Sequence, residues 1–549
     1  MGSNLSRRTL LCATVVAPAA MRAEPQSGQG SAQQRAEDAF DIRQDAALQE
    51  KQAAAVTQTA NGDEVAFANR IGSFSKGLPH NALGEVDSSA YSIFLQAMEN
   101  GAQLSEVERI PLGSMDPALQ MKLVNPCAGA CFSLQGADSH HLAIPPAPRV
   151  QSAWAAGEMV ELYWMALARD IAFTDYASNP VTKAAADELG TLTTFHGPRA
   201  AGAVIPATLF RGFTTGDVRG PYLSQFLLKP VPFGAQYVEQ RIRTVQPRSD
   251  FLTGYSDWLN AQNGVHPSQN DAFDPVRRYI RNGRDLGQWV HIDVLYQAYF
   301  NAMLIMLQPP DASDQVTGGG MGVPLNPGNP YLKSRNQIGF GTFGAPAIAT
   351  AVAEIATSAL KAVWYQKWLV HRRLRPEAYG GLVHNTRSGL CAFPLDSDVL
   401  NSRAAAAVKM LHGTYLLPMA FPEGAPLHPS YGAGHATVAG AAVTILKAVF
   451  DESYVIPNPV SPSADGLSLT PYMGPDAGSL TVGTELNKLA SNIALGRNFA
   501  GVHWRSDYEE SLKLGEALAI SVLRDQRLTY SEPFAGFTFT KFDGTKITV

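Results

Sequence analysis

The chain has 549 residues, 45% hydrophobic and 17% charged, so it can bury a sizeable core and is not globally disordered. Its 43 Lys and Arg against 48 Asp and Glu leave a net charge of −5, without the basic domain or stripe of an electrostatically driven nucleic-acid binder. No run approaches the roughly 18–20 apolar residues of a membrane span, so none is expected.

From the N-terminus, Ser6-Arg7-Arg8-Thr9-Leu10-Leu11 and the modest apolar stretch ending near Ala23 resemble a twin-arginine export signal over 1–23. That predicts a periplasmic or extracellular protein. The alternative is a disordered basic tail on a cytoplasmic one. Residues 24–61, rich in Gln and Ala, read as a polar arm or as a helix lying on a neighbour, and globular composition runs from 62 to 549. Cys127 and Cys131, in NPCAGAC, read equally as a small disulfide loop or as two buried thiols. Helical periodicity recurs at 152–170, 285–307, 346–374, 434–450 and 506–524. The Gly/Pro-rich stretch 316–331 is the best internal boundary, and the tail TFTKFDGTKITV reads as a terminal hairpin around Asp543-Gly544. These elements describe a large, mainly helical protein.

Three clusters carry chemistry. In QKWLVHRRLRPEAYGG, Lys367, His371 and Arg375 are spaced i, i+4, i+8 along one helical stripe, and Pro376 predicts that the helix ends at Arg375. Two cations aimed one way suit a buried anion; alone, the segment also reads as a solvated basic face. In APLHPSYGAGHATVAG, a Gly/Pro loop carrying His428 leads through Ala433 and Gly434 to His435 in the first turn of an apolar helix, where backbone N–H groups favour anions. An ordinary glycine helix start explains it as well. In ALGRNFAGVHWRSDYEES, Ser506 and Glu509 match a capping box that would start a helix near Ser506. His503 then lies just ahead of it and Arg497 behind a break at Gly501, though a surface ion pair and a core histidine remain the plain alternatives.

Taken together, Lys367 with Arg-Pro at Arg375, Gly434-His435 after the His428-Pro-Ser turn, and Gly-Arg497 followed by His503 and Ser-Asp resemble the vanadium-dependent haloperoxidases. The bromoperoxidases of algae and cyanobacteria are most similar, within the superfamily that also holds the type 2 phosphatidic-acid and bacterial acid phosphatases. The resemblance is specific over 270–530. It implies an all-α fold built on two four-helix bundles, with the vanadate site inside 360–510 of a catalytic domain spanning 62–549. It implies vanadate ligated by His503 and surrounded by Lys367, Arg375, Arg497 and the Gly434 N–H, with His435 as acid–base and His428 near the cofactor. Lys367, His428 and His435 are thus the expected catalytic set. The implied reaction uses hydrogen peroxide to oxidise bromide or iodide to hypohalite, which halogenates small organic acceptors, in a homo-oligomer. Calcium, bound by some relatives, has no support in the sequence. The family usually carries serine where Ala433 stands. Asp285 and Asp293 are candidate partners of the arginines, Asp507 a candidate to orient His503, and Trp364 a candidate wall. Rival readings are an acid phosphatase with His503 as nucleophile and a non-catalytic anion-binding assembly protein.

Overall fold

The computed structural model describes residues 31–311, 313–314 and 319–549; the expected export signal and part of the Gly/Pro-rich stretch lie outside them. The chain divides into Met1–Gln52 and Ala53–Val549. In the first unit, the polar arm is helix α1 (Ala32–Gln52), which buries no residue. The second unit begins at Ala53 rather than at 62. Gln58 Nε2 already donates to Leu142 O at 2.9 Å, and Asn61 to Asp63.

The second unit is helix-dominated. Its helices include α2 (Ala153–Leu167), α3 (Pro180–Leu189), α4 (Gly283–Trp289), α5 (Gln297–Leu307), α6 (Ala345–Tyr365), α7 (Pro376–Arg387), α8 (Arg403–His412), α9 (Gly434–Val449), α10 (Val482–Phe499) and α11 (Arg505–Arg527). Among the described residues, strands are short and pair antiparallel in four two-stranded ribbons: β1 (Val231–Phe233) with β2 (Gln236–Val238), β3 (Ile242–Val245) with β4 (Phe273–Arg278), β5 (Val460–Pro462) with β6 (Leu469–Pro471), and β7 (Thr538–Thr540) with β8 (Lys546–Thr548). The last is the expected terminal hairpin, with Gly544 at φ 84° in its turn.

Helices α6, α9, α10 and α11 pack on one another as a four-helix bundle, while α2 is surrounded by α3, α7 and α8. Helix α9 is hydrophobic on every side and almost wholly buried, as a central bundle helix must be. Its Thr437 and Thr444 hydroxyls donate back to the Ala433 and Gly440 carbonyls, so neither adds an unpaired polar group to the core. Helix α6 with its terminal turn, Ala345–His371, is after all long and apolar enough to cross a bilayer. Here it packs against α5, α9 and α11 inside the fold.

Several boundaries differ from expectation. The pattern at 285–307 is two helices, α4 and α5, and Asp293 sits between them. The stripe at 346–374 ends in a π turn, Gln366–His371, where the Arg372 N–H reaches back to Lys367 O at 3.0 Å, followed by Arg372 at φ 42°. Pro376 therefore opens α7 instead of following a helix, with Arg375 as its N-cap, because proline's missing N–H costs nothing in a first turn. Helix α11 starts at Arg505 with Trp504 as N-cap, and Asp507, not Ser506, takes the capping bond. The segment around 316–331 is no boundary: Met321, Val323 and Asn326 donate to the carbonyls of Ile305, Met306 and Val449. Cys127 and Cys131 are both free thiols.

Candidate active site

The three clusters meet where the π turn, the loop before α9 and the α10–α11 bend converge. The extra residue of the π turn directs Lys367 inward, fully buried, and its Nζ donates to Pro429 O at 2.7 Å and Ser430 O at 3.0 Å. Lys367 and Arg375 thus share the site without sharing one straight helix. Arg375 Nε donates to His428 O at 2.9 Å, Nη1 to Val502 O at 2.7 Å and to His503 Nε2 at 3.0 Å, and Nη2 to His428 Nδ1 at 2.9 Å. Arg497, from the last turn of α10, donates to Val290 O at 2.7 Å and lies over the Phe421 ring, while its Nε has no partner. Gly501, at φ 83°, turns the chain between α10 and α11 and brings His503 back toward Arg375.

His503 Nδ1 donates to Asp507 Oδ2 at 2.8 Å, which fixes the proton on Nδ1 and leaves the Nε2 lone pair facing Arg375. Asp507 was the expected orienter and stands there, one helical turn on. As a carboxylate it also accepts from Ser430 Oγ, from Trp504 N at 3.1 Å and, on Oδ1, from Arg373 at 2.8 Å. Arg373 in turn pairs with the buried Glu158 of α2 at 2.9 Å. Ser430 is the serine of the His428-Pro-Ser turn, with no role assigned from sequence; Arg373 and Glu158 are not singled out there, and Arg373, two residues before Arg375, is the one local signal.

His435 lies in the first turn of α9, and its Nε2 meets Asp293 Oδ1 at 3.0 Å. Asp293 therefore serves the histidine by contact, and its carboxylate also favours the charged form of Arg497 without touching it. Asp285 is not a partner of the site: it pairs with Arg281 at 3.1 Å. Trp364 does wall the cluster, its ring 4.9 Å from the His428 ring and 5.7 Å from Lys367 Nζ. Ala433 is the N-cap of α9 and offers no side-chain cap; its own N–H donates to Ser511 Oγ at 2.7 Å. The Gly434 N–H stands at the first helical position, where a Cβ on Gly434 would come 3.2 Å from Trp364.

Electrostatically the site is short of negative charge. Among the described residues none of Lys367, Arg375 and Arg497 forms an ion pair with a carboxylate; all three donate to carbonyls. Burial, and then the neighbouring arginines, hold Lys367 well below the usual lysine range. Burial lowers Arg375 to about 9, with Arg497 adding to it, and Arg497 itself to about 10. Burial, with Arg375 and Lys367 beside them, also pushes His503 and His428 far down, so both imidazoles are neutral. Buried cations without counter-charge are costly. A neutral imidazole lone pair ringed by three cations is a donor set for an oxyanion of a Lewis-acidic metal.

The VCPO second helical-bundle domain model matches residues 348–530, the stretch that holds Lys367 through His503. A vanadium-dependent bromoperoxidase of Corallina pilulifera is 38% identical, over 94% of this chain and 99% of that protein. One of Ascophyllum nodosum is 34% identical, over 94% of this chain and 92% of that protein. The homohexameric structure of the second vanadate-dependent bromoperoxidase from Ascophyllum nodosum matches with a TM-score of 0.89 and 32% identity, covering 99% of this chain and 94% of that one. Near-complete coverage at this identity, on a helical fold whose core gathers three buried cations around histidines, places the chain in the vanadium-dependent bromoperoxidase family.

Proposed function

We propose that this chain is a vanadate-dependent haloperoxidase that uses hydrogen peroxide to oxidise bromide or iodide, and that its site is the cluster around His503. The observation that carries the reading is the unpaired charge of Lys367, Arg375 and Arg497 facing a neutral His503. The residues fit vanadate: His503 Nε2, a neutral imidazole nitrogen whose contact is Arg375 Nη1, would ligate the metal, and the three cations with the Gly434 N–H suit its oxygens. When bound, vanadate supplies a Lewis acid that activates peroxide toward halide without changing oxidation state.

The protein's own contributions follow from its contacts. Asp507 holds the Nδ1 proton of His503 and keeps Nε2 available as a ligand. Lys367, Arg375 and Arg497 would offset negative charge that builds as the peroxide oxygen bond breaks. His435, with Nε2 tied to Asp293, has Nδ1 free to take a proton from incoming peroxide and return it to the leaving oxygen. His428, neutral and held by Arg375, favours bromide and iodide over chloride. Kinship with a homohexamer supports a homo-oligomer.

The test starts from the metal-free protein. Added vanadate is expected to switch on bromination of phenol red with peroxide and bromide, and to raise Tm by mass action, stabilising the fold by about 2.7 kcal/mol at a hundredfold excess over Kd. No bromination would overturn the reading: a Tm gain with neither bromination nor hydrolysis of p-nitrophenyl phosphate marks an anion binder, and hydrolysis instead of bromination marks a phosphatase.

A further inference from the structure

A cleft of about 360 Å³ opens beside the His435–Asp293 pair, and its lining includes Asp293, Gln288, Trp289, Arg241, Arg243 and Arg277. Two features of this lining are incomplete in the chain alone. Gln288 is 2% exposed, yet its Nε2 has no hydrogen-bond partner, and neither has Asp293 Oδ2. Buried amide donors are rarely left unpaired without a reason. Independently, Arg243 and Arg277 stand directly opposite each other in the β3–β4 register, where like charges repel. Arg241 is paired with Glu239, whereas Arg243 only covers the Phe273 ring at 3.7 Å. Among the described residues neither Arg243 nor Arg277 has a carboxylate within ion-pair distance.

We infer that this cleft seats the organic acceptor, and that the acceptor is an electron-rich arene bearing a carboxylate. The carboxylate relieves the Arg243–Arg277 repulsion, an oxygen substituent accepts from Gln288 Nε2, and Trp289 gives the ring an apolar wall. The inference rests on the haloperoxidase reading, because Asp293 lies both on the cleft wall and on His435, so the electrophile would emerge at the bound arene. The balance is complete: peroxide, bromide, the arene and one proton give the bromoarene and two waters. The arene C–H bond breaks as C–Br forms, peroxide is reduced, and the released hydrogen ends in water.

The experiment uses the full chain and two probes, 3,5-dimethoxybenzoate and its methyl ester. In calorimetric titration of the metal-free protein, the carboxylate is expected to bind saturably, and at least tenfold more weakly to the Arg243→Gln/Arg277→Gln double variant. The ester should not distinguish the two proteins. No saturable binding, or equal affinity for both proteins, overturns the inference. With vanadate, peroxide and bromide present, equimolar probes should yield a carboxylate-to-ester product ratio above that given by reagent hypobromite, falling to the reagent ratio in the double variant. A reagent-like ratio from the unaltered protein overturns the acceptor role while leaving the haloperoxidase reading intact. Absence of any bromination sinks that reading, and the acceptor role with it, even if the carboxylate still binds.

Discussion

His371 packs edge-on to the Tyr431 ring at 4.8 Å, and neither of its ring nitrogens has a hydrogen-bond partner. Burial, then Arg372 and Arg373, lower its pKa to about 3 from 6.5. Between those values the unfolded chain takes up a proton that the folded chain refuses. Stability contributed here is therefore present above pH 6.5 and lost as pH falls toward 3, at up to about 1.4 kcal/mol per pH unit. His371→Phe removes the titration and keeps the ring contact. Denaturant melts at pH 7 and pH 5 should show the variant gaining about 2 kcal/mol on the parent over that interval; parallel losses would contradict it. A second residue-scale expectation concerns Ala433, where the resemblance to the haloperoxidases implies a serine. A hydroxyl donating to a charged oxyanion contributes about 1.5–3 kcal/mol, so Ala433→Ser should tighten vanadate by roughly tenfold to a hundredfold in equilibrium dialysis. An unchanged Kd would mean that the hydroxyl is dispensable in this chain.

At the scale of elements, the crossing of α9 and α11 sets the site. A Cβ on Gly440 would lie 2.1 Å from Leu512 O, and one on Gly515 would lie 2.0 Å from Thr437 O, so backbone meets backbone at both points. The same two helices begin with His435 and with the His503–Asp507 pair. Spreading them would separate His435 from His503. Gly515→Ala is expected to cost about 1–3 kcal/mol or more through overpacking. It should also weaken vanadate binding although it touches no site residue. A lower Tm with full vanadate affinity would show that the bundle absorbs the spread away from the site.

At the scale of the molecule, the residues of the candidate site all lie in one unit, Ala53–Val549, and α1 buries none of its residues. A chain starting at Ala53 should fold with a stability within about 0.5 kcal/mol of the parent, since none of the residues of α1 is buried. A large drop in Tm at equal protein concentration would refute that independence. Across the core unit, charges that are fully buried mostly find a carboxylate: Lys76 pairs with Glu377, Arg505 with Glu161, and Arg373 with Asp507 and Glu158. Lys447, donating to Asn487 and to Thr540 O, departs from that habit singly; Lys367, Arg375 and Arg497 depart from it together, and that clustering marks the site.

The sequence alone determined which side chains could take part, because proline, glycine and histidine at short spacings act locally: Arg-Pro before a helix, Gly-His at a helix start, a glycine bend ahead of His503. It also determined the helical class, through periodicities that span whole helices such as α2 and α9. It misplaced the end of α6, where a π turn follows, and the capping residue of α11, where Asp507 takes the bond expected of Ser506. Only the tertiary structure decided who pairs with whom. Asp293 went to His435 while Asp285, eight residues earlier, went to Arg281, and Arg373 found Glu158 across 215 positions of chain. Partners of that kind are chosen by which helices pack side by side, and local spacing holds no record of that choice.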